Sequence, residues 1–139
     1  MSEVTGMKVE IPKKVATVGG TLLSISGLMN AVLGARIGAL VYDAYPGGRL
    51  GHVGIIAGLV AIVLGMIIVF VVVPLYDRRN RWLLAFAGLL TIVLGHAGAV
   101  AGAIYVGTVG VILCYIAGLW LLVATAWGVN GRHSGSPSA

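Results

Sequence analysis

The chain is poor in charge, in acids most of all. Of its 139 residues only 9% are Asp, Glu, Lys or Arg, against about 25% in a soluble domain. The acids are Glu3, Glu10, Asp43 and Asp77, and none lies in a long uncharged run. That excludes paired carboxylates for acid–base chemistry within the apolar part of the chain. There is one cysteine, Cys114, so no intrachain disulfide can form, and no Cys/His spacing suits a metal. No nucleophile–base pair and no phosphate loop stand out. The chain is expected to have no enzymatic activity, no metal and no cofactor of its own.

What fills the chain instead is apolar. Hydrophobic residues make up 59%, and the mean hydropathy is +1.05. Three runs carry no charge: 15–35, 50–76 and 82–131. A membrane span needs about 20 residues. The third run, as one helix, would reach about 75 Å at 1.5 Å per residue, far beyond a hydrocarbon core of about 30 Å. It must fold back, and Gly107-Thr108 is the expected turn. The reading is an all-α membrane protein, a four-transmembrane-helix antiparallel bundle. Its helices are expected near 15–41, 51–76, 81–105 and 108–128. Residues 1–14 form an N-terminal segment, 15–128 the transmembrane domain and 129–139 a flexible tail. Val4 to Pro12 has some character of a short interfacial helix. The first apolar stretch is too long for a signal peptide and no clear cleavage site follows, so it reads as a retained helix.

Charge orients the bundle. Lys8, Lys13, Lys14, Arg78, Arg79, Arg81 and Arg132 fall on one side, and Arg49 stands alone in the first opposite loop. Excess Lys and Arg marks the cytoplasmic side, so both termini are expected there, in a multi-pass protein of the cell membrane. The net charge of +5 follows from this asymmetry. It implies anionic lipid as a partner and no nucleic acid. Tyr76, Trp82 and Trp127 are expected at the inner interface, and Tyr42, Tyr45 and Tyr105 at the outer one.

Small residues recur at spacings of three and four in every span: Gly20, Ser24, Gly27, Ala31, Gly34 and Gly38, then Gly51, Gly54, Gly58, Ala61 and Gly65. Gly88, Thr91, Gly95, Gly98 and Gly102 follow, with a weaker series from Gly110 through Cys114 and Ala117. Such spacing puts them on one helix face, where small residues let backbones approach closely in lipid. The expected packing seam is Gly27, Gly34, Gly58, Gly65, Gly88, Gly95, Gly98 and Gly102. A motif also repeats. Ala57 to Gly65 reads AGLVAIVLG and Ala87 to Gly95 reads AGLLTIVLG. Duplication of a helix and repeated use of a small membrane alphabet explain this equally well. Pro74 cannot donate to the carbonyl of Phe70 and should kink or end the second helix.

Few polar side chains enter the spans. Asn30, His96 and Tyr115 are expected at similar depth in the outer half, with Arg36, Asp43, His52 and Tyr105 above them. The inner half reads as almost wholly apolar. Asn30, Arg36, His96 and Tyr115 are the candidate polar cluster. As glue between helices such groups contribute about 0.6 kcal/mol each. As functional groups they mark pathways or ligands. His96 and His52 are the candidate haem b ligands. In antiparallel helices, however, His96 lies about 13 Å deeper than His52, too far for both to hold one haem in a single chain. Gly20 to Leu23 with Asn30 and Gly34 looks superficially like a stretch of the dimeric fluoride channels. The Phe/Ser/Thr pore signature of that family is absent, as is the membrane Glu of the small multidrug exporters.

The function expected from these features is that of a structural or accessory subunit, packing against other membrane subunits or copies of itself. The alternatives are a small transporter or channel with an outward polar vestibule, and a haem-binding electron-transfer subunit using His96.

Overall fold

The computed structural model describes residues 2–44, 50–78, 80–101 and 106–130, with side chains described over 9–34, 36, 52–78, 80–101 and 106–127. Among these residues the chain is helical throughout, apart from short connections. Helix α1 is Ser2–Ala44, α2 is Leu50–Ile67, α3 is Arg81–Val100 and α4 is Val106–Asn130. After α2 the chain continues as a π turn, Ile68–Val72, and a 3-10 turn, Val73–Asp77. Four stretches are long and apolar enough to cross a membrane: Val9–Gly34, His52–Leu75, Arg81–Val100 and Val106–Trp127. By length and composition this is a multi-pass membrane protein.

Helix α1 starts earlier than the sequence suggests, at Ser2 rather than near residue 15, and runs through Pro12. Pro12 removes only one backbone bond, and its ring is fully buried. Lys14 bonds Glu10 one turn back, at 2.8 Å, which suits a helix. Val9 and Val15 pack on the core beside it. The charged N-terminal stretch is thus part of the first helix.

Pro74 acts as its chemistry requires. With no N–H at residue 74, regular α-helix ends at Ile67, and Val73 N–H reaches back five residues to the carbonyl of Ile68. That is the π pattern. Helix α3 opens on Asn80, whose side chain accepts from Trp82 N–H at 3.0 Å, an ordinary N-cap. It ends at Val100, short of the expected 105. Gly107-Thr108, the expected turn, lies instead in the first turn of α4. Residues 102–105, with Gly102 and Tyr105 among them, lie outside the described residues.

Helix α1 is the hub. It packs along α2 and along α4, while α3 packs mainly on α4 and barely touches α1. Two polar contacts tie the helix ends at one end of the bundle. Lys13 Nζ donates to both carboxylate oxygens of Asp77 at 2.7 Å. The Arg81 guanidinium donates to the Thr125 carbonyl at 3.2 Å from Nε and 2.6 Å from Nη2.

Candidate functional site

The glycines stand where helices come closest. A Cβ on Gly27 would lie 2.6 Å from the Gly58 carbonyl oxygen, and one on Gly58 would lie 2.5 Å from the Gly27 oxygen and from Ala31 N. Gly34 and Gly54 meet in the same way at 2.9–3.0 Å. Gly65 opposes Gly20 and the Ser24 hydroxyl. These contacts are backbone on backbone, and residue numbers on α1 rise as those on α2 fall.

Helix α4 meets α1 and α3. A Cβ on Gly110 would lie 2.7 Å from the Gly19 oxygen, and one on Gly19 would lie 2.9 Å from Cys114 Sγ. A Cβ on Gly95 would lie 2.8 Å from Cys114 Cβ, and one on Gly88 would lie 3.0 Å from the Gly118 oxygen. Gly98 faces the Leu23 side chain of α1 at 2.6 Å. Sequence reasoning missed Gly19, which follows its own line of contact. Adjacent residues on a helix point about 100° apart. The Gly19-Gly20 doublet therefore opens one face to α4 and another to α2, and the doublet itself was the signal.

Hydroxyls within the spans bond to their own helices, which satisfies them where water is absent. Thr17 donates to the Lys13 carbonyl, Thr21 to Thr17, Ser24 to Gly20 and Thr125 to Leu122. Ser24 also approaches the Ile62 carbonyl across the helix pair at 3.4 Å.

Tyr76 turns into the bundle: it is only 2% exposed and packs in the core. Its hydroxyl is 2.8 Å from Thr91 Oγ1, and Thr91, fully buried, donates to the Ala87 carbonyl at 2.8 Å. The lower half of the bundle is therefore not wholly apolar. The tight turns around Pro74 swing Tyr76 inward, and the sequence carries no direct sign of that. Trp82 and Trp127 do face outward, at 84% and 74% exposure.

Of the candidate polar cluster, the structure joins two members. His96 Nδ1 is 2.6 Å from Tyr115 Oη, with the rings edge to face at 6.4 Å. His96 is exposed on α3, while Tyr115 on α4 is half-buried, its ring packed against the core. Asn30 is buried, whereas Arg36 is exposed. His52 is exposed on α2, near Gly54, which opposes Gly34. His96 lies near Gly98, which opposes Leu23. Eleven residues of α1, about 16 Å at 1.5 Å per residue, separate those heights, so the two histidines do not face a common ligand. Among the described residues no group of three or more His, Cys, Asp or Glu is placed to hold a metal ion.

Comparison with known proteins finds no matching family model, no matching curated protein and no matching solved structure. The geometry alone carries the functional reading.

Proposed function

We propose that this chain is a non-catalytic structural or accessory subunit of a membrane assembly, or of a homo-oligomer. It is an antiparallel bundle held by glycine seams, with both termini in the cytoplasm. The observation that carries this reading is the His96–Tyr115 pair on the outside of the bundle. A histidine–tyrosine pair on the lipid-facing side of two spans costs free energy unless another helix covers it, and interhelical hydrogen bonds of this kind hold membrane subunits together. The backbone-to-backbone contacts of Gly27 with Gly58 and of Gly34 with Gly54 support a compact, rigid body suited to that role.

The test is native mass. Purified in a mild detergent, the protein should run as an oligomer or with a second protein. His96→Ala together with Tyr115→Phe should release it to a folded monomer. A monomer in the unaltered protein would remove the reading. Sidedness has its own test. A cysteine at Gly47 should react with an impermeant reagent from outside, and one at Asn80 should not. The reverse labelling would invert the topology.

A second reading has one observation in its favour. A histidine held through Nδ1 presents Nε2 outward, which is how ligating histidines are commonly held. A Soret band lost on His96→Ala, with unchanged oligomer size, would make the chain a haem-binding electron-transfer subunit.

A further inference from the structure

The glycine contacts fix the relative heights of the helices, and the two helical hairpins turn out to be staggered. Gly20 opposes Gly65 and Gly27 opposes Gly58, so the middle of the α2 apolar stretch, His52–Leu75, stands beside about residue 22 of α1. Gly19 opposes Gly110 and Cys114, and Gly98 opposes Leu23. The middles of Arg81–Val100 on α3 and Val106–Trp127 on α4 therefore stand beside about residue 15 of α1. The offset is about seven residues, roughly 10 Å at 1.5 Å per residue.

Both ends of the bundle repeat the offset. At one end the Lys13–Asp77 ion pair closes the α1–α2 hairpin. Trp82 and Trp127, both strongly exposed, end the other hairpin some six to nine residues of α1 further along, about 10 Å. Tryptophans and charges are the usual markers of the membrane surface, and here they mark two heights. At the opposite end α3 stops at Val100, beside about residue 25 of α1, while α2 continues at least to His52, beside about residue 33. That gap is roughly 12 Å.

Upright in a flat bilayer, such a bundle centres one hairpin and displaces the other. We propose that it sits obliquely, with helix axes roughly 30–40° from the bilayer normal, at the upper end of the range for membrane helices. A 10 Å offset corresponds to a tilt of about 30° across two helix spacings of about 8–10 Å and about 45–50° across one, and the centre of the α3–α4 pair stands between one and two spacings from α2, α1 lying between α2 and α4. The partner that recognises this shape is the bilayer itself, through its thickness.

Two measurements test it. Polarised infrared spectroscopy of the unaltered protein in oriented phosphatidylcholine bilayers should give a mean helix tilt of roughly 30–40°, and a mean tilt below about 15° would overturn the proposal. Spin-label depth gives the second reading. Leu59 on α2 and Val100 on α3, both exposed, stand at nearly equal height along the bundle. Tilt should place a label at Leu59→Cys about 10 Å deeper than one at Val100→Cys. Phe70 and Leu89, also exposed, form a second pair of nearly equal height. There the label at Phe70→Cys should lie about 10 Å nearer the opposite membrane surface than the one at Leu89→Cys. Equal depths within each pair would mean an upright bundle and would overturn the proposal, while leaving the subunit reading untouched. Cys114 is fully buried and need not be replaced.

Discussion

The α1–α2 contact and the α3–α4 contact both use glycine, but to different ends. Between α1 and α2, glycine meets glycine, and what a Cβ would strike is backbone: the Gly58 oxygen, the Gly27 oxygen, Ala31 N. Backbone cannot step aside. Between α3 and α4, glycine more often meets a side chain. Gly118 has Ile92 Cγ1 at 2.5 Å beside the Gly88 oxygen at 2.6 Å, Gly88 has Leu122 and Leu121 at 3.3–3.4 Å beyond the Gly118 oxygen, and Gly95 faces Cys114 Cβ, which no rotamer moves. The outer atoms of Ile92 and Leu122 can change rotamer. The first contact is set by helix geometry and the second by packing, so the two should respond differently to the same added methyl group.

The largest effect is expected at Gly58→Ala. Its Cβ meets fixed backbone at 2.5 Å, so the helices must part, with a loss of about 1–3 kcal/mol as for overpacked cores. Unfolding in a detergent titration reads it. Gly88→Ala sharpens the contrast. Its closest neighbour is also backbone, the Gly118 oxygen, but at 3.0 Å it stands half an ångström further off, and the gain of about 0.5–1 kcal/mol from replacing glycine in a helix offsets the milder squeeze. Stability within about 0.5 kcal/mol of the unaltered protein is expected. If the two substitutions cost the same, the distinction between the contacts fails.

Tyr76→Phe comes next. It removes one interhelical hydrogen bond but leaves Thr91 bonded to the Ala87 carbonyl, so about 0.6 kcal/mol should be lost. A matching Thr91→Val variant in a double-mutant cycle isolates the pair term. Lys13→Ala should do least. The ion pair is partly exposed, side-chain exposure being 34% for Lys13 and 63% for Asp77, and pairs of this kind contribute about 0–1 kcal/mol. What it does contribute should shrink as salt rises, which a stability series in sodium chloride would show.

Much of this architecture could be read from residue spacing, because the quantity that matters in lipid, side-chain bulk at a helix face, is written directly in the sequence. Gly27, Gly34, Gly58, Gly65, Gly88, Gly95 and Gly98 each stand opposite another helix at close range. Which helix each one meets could not be read. Gly98 faces α1 rather than α4, since pairing depends on how four faces are arranged around a hub. The start of α1 does not show in the hydropathy because its first turns are charged, and Glu10 and Lys14 pair along it. Of the candidate cluster, His96 and Tyr115 were found together and Arg36 was not. Spacing gives depth along an axis well and rotation about it poorly, and Arg36 differs from Asn30 in rotation. The inward turn of Tyr76 was hidden for the same reason, the π turn having altered its angle by an amount no periodic template contains.

That π turn has a consequence for what the gene can tolerate. A π turn is an α-helix carrying one residue too many, accommodated locally. Removing a single residue between Ile68 and Val72 would let the segment close back into α-helical form and leave the parts on either side in nearly their present orientation. Tyr76 would stay beside Thr91, and Asp77 beside Lys13. The usual rule that deletions belong in loops and not in spans acquires a local exception. Here a one-codon loss would make the helix more regular and leave the assembly in place, so this short stretch should be the part of the second span most free to lose one residue.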